Sequence, residues 1–144
     1  MGKITSENKK ASIEIRKSKS STVAWNGLDI HVSPPEWILY HLIYKIYWEG
    51  VHHYCKGAYQ YADITRLIPV TTKSVLERLL KLLDRYTLQV AGYYVLRRLK
   101  TNFGMILTPE IEEFLARTVQ PPHNKEPRQL NDLGDMWPKL WGRR

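Results

Sequence analysis

The chain is short of several things, and each shortage closes off a class of protein. Among its 144 residues there is one cysteine, Cys55, so no disulfide can form within the chain and the disulfide-framed secreted class is excluded. The longest apolar-rich run, residues 37–48, falls far short of the roughly 20 residues that cross a bilayer. Residues 1–21 lack the apolar stretch of a secretory signal. A soluble, intracellular protein with no membrane association is therefore expected, cytoplasmic and associated with the nucleoid. The patterns GxGxxG and GxxxxGK[ST] and the nucleophile elbow are all missing, so a catalytic reading has no motif to rest on. Neither catalytic residues nor a cofactor are expected. Internal repeats and low-complexity tracts are absent as well.

Acidic residues are scarce. There are 14 Asp and Glu against 22 Lys and Arg, for a formal net charge of +8 and a pI near 9.6. That balance favours a polyanionic partner, nucleic acid or an acidic membrane surface, without choosing between them. The 43% of hydrophobic residues suffices for one core, and the length suits one domain. Three parts follow: a basic arm over residues 1–21 with six Lys and Arg against Glu7 and Glu14, a folded region over 22–119, and a tail over 120–144. The tail opens on Pro121-Pro122 and ends with Met136, Trp137, Leu140 and Trp141, too apolar for a purely solvated end.

Within the folded region, Asn26-Gly27 between alternating apolar residues predicts a hairpin over 22–32. Ser33-Pro34-Pro35-Glu36 reads as a capping box with proline at the first helical position, starting a helix over 34–49 that Gly50 ends. Apolar side chains surround that helix except for His41, Lys45 and Glu49, so it needs cover on more than one side. Residues 51–60 read as a short connection or strand. A brief helix over 61–68 ends at Pro69. Another starts at Thr71 or Thr72, burying Val75, Leu76, Leu79, Leu82, Leu83 and Tyr86. Residues 88–90 and 93–99 then read as strands about Ala91-Gly92, with a tight polar loop over 100–104 and a third strand over 105–107. Thr108-Pro109-Glu110 starts a last helix, with acids at the positive end of its dipole.

Helix, turn, helix, strands and a capped helix is the order of a winged helix-turn-helix, and the expected fold class is mainly α with a small antiparallel β-hairpin. The segment 63–83 resembles the helix-turn-helix of MarR-like regulators: Ile64, Leu67 and Ile68, then Pro69-Val70, then Thr71-Thr72-Lys73-Ser74, then Val75 and Leu79 fill that family's pattern, and the likeness extends over about 34–119. Pro69 stands where such turns often carry Gly, and the family's Asp-x-Arg wing signature is missing. The resemblance implies double-stranded DNA as partner and a role in transcriptional regulation. A recognition helix would offer Thr71, Thr72, Lys73 and Ser74 to base edges, with Glu77 and Arg78 one turn on and Lys81 and Arg85 at phosphates. Arg97, Arg98, Lys100, Thr101 and Asn102 would form a basic wing on the backbone or minor groove.

Charge supports this placement. Residues 59–104 carry eight basic and three acidic groups, whereas 22–58 with 105–119 carry three basic and six acidic. Tyr93 or Tyr94 could stack on bases. His52-His53-Tyr54-Cys55 with His31 and His41 lacks metal-ligand spacing, so no metal is expected. A homodimer through helix 34–49 and the Trp-rich tail would cover both and set two recognition helices one DNA turn apart. The alternative is an interaction module, such as a subunit of a nucleoprotein or polymerase assembly.

Overall fold

The computed structural model of the chain describes residues 21–52, 58–118, 120–121 and 125–126. Residues 1–20 of the basic arm, the sequence His53-Tyr54-Cys55 and residues 127–144, with the Trp-rich end of the tail, lie outside the described residues.

Strands β1 (Ser21–Trp25) and β2 (Leu28–Val32) form an antiparallel hairpin. Asn26 (φ 49°) and Gly27 (φ 77°) are both left-handed, as a two-residue turn between right-twisted strands requires. Helix α1 (Pro35–His52) follows, its first free N–H groups, those of Trp37 and Ile38, donating to the Pro34 carbonyl. It runs through Gly50, which is buried, so the expected stop at that residue is not made. Helix α2 (Ala58–Leu67) takes in the end of the expected connection. A 3-10 turn, Ile68–Val70, carries the chain round Pro69 into helix α3 (Lys73–Arg85). The spacing of the apolar residues in α3 puts Val75, Leu76, Leu79, Leu80 and Leu83 in the core and leaves Leu82 half-buried.

The expected wing is not built. Residues 89–101, predicted as strands and loop, form helix α4 (Gln89–Thr101), and 105–107 are not in a strand. Their Val, Tyr and Gly content imitates a strand locally. In the fold, Ala91, Tyr93, Tyr94, Val95, Leu96 and Leu99 are all buried, because α4 packs against α1, α3 and α5 and leaves only a narrow strip at Arg97, Lys100 and Thr101 exposed, and so wide an apolar surface gives little amphipathic period in the sequence. Gly92 permits this: a Cβ there would lie 2.8 Å from Leu83 Cδ1 and 3.1 Å from Phe114 Cζ. Helix α5 (Pro109–Arg117) starts as read, with the Thr108 side chain accepting from the Ile111 N–H.

Among the described residues, five α-helices and a two-stranded hairpin make a mainly helical α+β arrangement. Helix α1 packs on α2, α3 and α4, and α5 closes over α3 and α4. The apolar circumference of α1 thus finds its cover within the chain: Trp37, Leu39, Tyr40, Ile43 and Ile46 are buried, and Trp37, Tyr40 and Tyr86 meet edge to face or tilted at centroid distances of 5.4–5.9 Å. Ile38 and His41 stay exposed on this helix and Leu42 half-buried. No helix among the described residues is long and apolar enough to cross a membrane.

Candidate nucleic-acid interface

Helix α2, the turn through Ile68–Val70 and helix α3 are connected as a helix-turn-helix, and α3 turns a polar face outward. Thr72, Lys73, Ser74, Glu77, Arg78, Lys81 and Arg85 are all exposed on it, while Thr71 is half-buried. The half-buried Thr71 is engaged locally, its Oγ1 donating to the Leu67 carbonyl at 2.6 Å. Thr72 and Ser74 hydroxyls meet at 3.2 Å at the N-terminus of the helix. Ser74, Arg78, Lys81 and Arg85 recur at helical spacing, so they form one stripe along the helix. Arg85 lies over the Tyr86 ring, 5.6 Å from its centroid, which holds the guanidinium at the surface.

Acidic side chains from other helices reach this face. Glu36 at the start of α1 accepts from Arg78 Nε at 2.9 Å, and Glu110 at the start of α5 pairs with Lys73 at 3.4 Å. Hydrogen bonding to its own backbone N–H, with help from Thr108 and Lys73, holds the Glu110 carboxyl below its ordinary value. Both acids read in the sequence as first-turn caps. Their second role is invisible there, because it depends on which helix lies alongside α3.

The residues assigned to a wing are dispersed. Arg98 is 4% exposed, and its Nη2 pairs with Glu126 at 3.1 Å; it is a buried structural cation and offers nothing to a ligand. Lys100 pairs with Glu112 at 2.7 Å. Thr101 and Asn102 are exposed and hydrogen-bond to one another. Arg97 is exposed with its guanidinium 5.7 Å from the Tyr93 ring centroid. Tyr93 and Tyr94, candidates for base stacking, are 8% and 3% exposed. The Tyr94 hydroxyl donates to the Pro121 carbonyl, and desolvation raises its pKa.

No family model, curated protein or solved structure matches the chain. Function must be argued from the site itself.

Sequence reading missed the fold's interleaving of charge. The acids concentrated outside residues 59–104 return to the cations within it: Glu36 to Arg78, Glu110 to Lys73 and Glu112 to Lys100. In the reverse sense, Arg117 holds Asp84 through two hydrogen bonds of 3.2 and 2.7 Å. Among the described residues no group of three or more His, Cys, Asp or Glu side chains is arranged to hold a metal ion.

Proposed function

We propose that the chain binds double-stranded nucleic acid through the outer face of α3, without a wing. The observation that carries this reading is the stripe Ser74, Arg78, Lys81 and Arg85, exposed along a helix whose opposite side is buried and which is entered through a short turn from another helix. Such a helix is held rigidly while presenting hydroxyl groups at its N-terminus and cations along its length. Those are the groups that meet base edges and phosphates respectively.

The ion pairs on this face are compatible with the reading. In both pairs the cation is exposed while the acid is half-buried; pairs at the surface are weak and screened by salt, so phosphates can take over Lys73 and Arg78. Salt-dependent retardation of a random DNA duplex by the full chain is the direct test. Lys81→Ala and Arg85→Ala should each lower the slope of log affinity against log salt by about 0.9, the share of one phosphate contact. A chain with no salt-dependent binding, or slopes untouched by both changes, would sink the proposal. Selection of bound sequences from a random pool then separates regulation at a specific operator from architectural binding.

A protein-interaction module is the second reading, favoured by the exposed apolar residues of the hairpin, Val23, Trp25, Leu28 and Ile30. It predicts no affinity for a duplex at low salt.

A further inference from the structure

The hairpin has two unlike faces. Alternation along each strand places Val23 and Trp25 of β1 with Leu28 and Ile30 of β2 on one side, and the register pairs Val23 with Ile30 and Trp25 with Leu28 across it. On the other side stand Thr22, Ala24, Asp29 and His31. The four apolar side chains are 49%, 62%, 64% and 40% exposed. A two-stranded hairpin is marginal in water unless its apolar face is packed. Cover for this face must therefore be at hand whenever the chain is folded.

At the base of the hairpin is a second apolar feature. An open hollow of about 300 Å³ is lined by Ser33, Trp37, Ile38, His41 and Leu42. Ser33 follows directly on the last residue of β2, and Ile38 is exposed. It is the part of α1 that the other helices leave open.

We infer that the hairpin face is a homodimer interface, covered by the same face of a second copy around a two-fold axis, with Trp25 of each copy seated in the hollow of the other. Three observations converge on a second copy. A two-fold contact is self-complementary, and a projecting group, Trp25 at 62% exposure beside the turn, and a hollow beginning at Ser33 stand at opposite ends of the hairpin. Each strand has five residues, about 17 Å of chain, so antiparallel stacking of two hairpins sets each tip over the other's base, where the hollow lies. Finally, a chain of net charge +8 repels its own copies wherever cations face one another. Val23, Trp25, Leu28 and Ile30 carry no charge, and the hollow is lined by Ser33, Trp37, Ile38, Leu42 and one histidine, His41. An apolar surface without lysine or arginine is where like-charged copies can meet.

Sedimentation of the full chain at micromolar concentration should show a dimer. Trp25→Ala and Leu28→Lys should each weaken it by about tenfold or more, as truncation or charging of a central anchor does. Far-UV circular dichroism should stay helical, since neither side chain enters the core. In a Cys55→Ser background, Ile30→Cys, near the two-fold axis, should give a disulfide-linked dimer under oxidation, while Asp29→Cys on the opposite face should not. A chain that stays monomeric overturns the inference, whether or not its own segments shield Trp25. So does a dimer whose affinity the two substitutions leave within about twofold, or one that Asp29→Cys cross-links as readily as Ile30→Cys. The inference is independent of what α3 binds, and duplex binding by a monomer would leave the nucleic-acid reading standing.

Discussion

Three single residues have local environments that fix the outcome of substitution. Helix α3 ends in a Schellman motif: the Leu88 N–H donates to the Leu83 carbonyl and the Thr87 N–H to that of Asp84. The left-handed position within it, φ 55°, is held by Thr87, a β-branched residue where glycine is the ordinary choice. Relief of about 1–2 kcal/mol of strain, less about 0.5–1 kcal/mol of added backbone entropy in the unfolded chain, leaves Thr87→Gly stabilising by about 0.5–1 kcal/mol. Thermal unfolding checks this, and an unchanged or lower Tm contradicts it. At Gly92 the sign reverses. Alanine gains about 1 kcal/mol of helix propensity, but its methyl group meets Leu83 and Phe114 inside van der Waals distance, and overpacking costs about 1–3 kcal/mol. Gly92→Ala should be destabilising by about 1 kcal/mol, and less so when combined with Phe114→Leu, a coupling that a double-mutant cycle measures. Tyr61, 1% exposed, has its pKa raised by desolvation from 10.0 to about 12. The folded state holds this proton more tightly than the unfolded one, so the contribution to stability is complete below pH 10 and is lost as pH rises towards 12. Tyr61→Phe should flatten that part of the alkaline unfolding profile.

At the scale of elements, α3 carries the functional claim and its neighbours modulate it. Glu36 and Glu110 hold Arg78 and Lys73 and present negative charge where phosphates would lie. Glu36→Gln and Glu110→Gln should each raise duplex affinity by about two- to fivefold at low salt, the scale of an exposed charge pair. Unchanged affinity in both would show that the α3 face does not meet phosphate. The hairpin turn, the proline-bounded turn before α3 and the capped start of α5 were legible, because each depends on residues within four positions of one another. Helix α4 was not. Its Val90, Tyr93, Tyr94 and Val95 favour strands in isolation, and only packing against three other helices makes a helix of them. With the strands went the wing, and with the wing the assignment of Arg98.

Over the whole molecule, buried charge ties distant parts of the chain together. Arg98 in the last turn of α4 pairs with Glu126, next to Lys125, whose carbonyl accepts from the Tyr47 hydroxyl of α1. Removing a carboxylate from an otherwise buried guanidinium leaves charge that water does not reach, so Glu126→Ala should reduce stability by about 2 kcal/mol. Urea unfolding should show a lower midpoint with an unchanged slope.

The sequence by itself determined the hairpin turn, the turn at Pro69, the starts of α3 and α5, the buried stripe of α3 and the excess of positive charge. Those are properties of neighbours along the chain. The tertiary structure alone decided that residues 89–101 are a helix, that α2, α3 and α4 cover α1 on all but the side of Ile38 and His41, and that Glu36, Glu110 and Glu112 return to the cations of 59–104. Packing and Coulomb attraction act between residues close in space, and for these pairs the sequence separation runs from 12 residues to 42, beyond the reach of any local pattern.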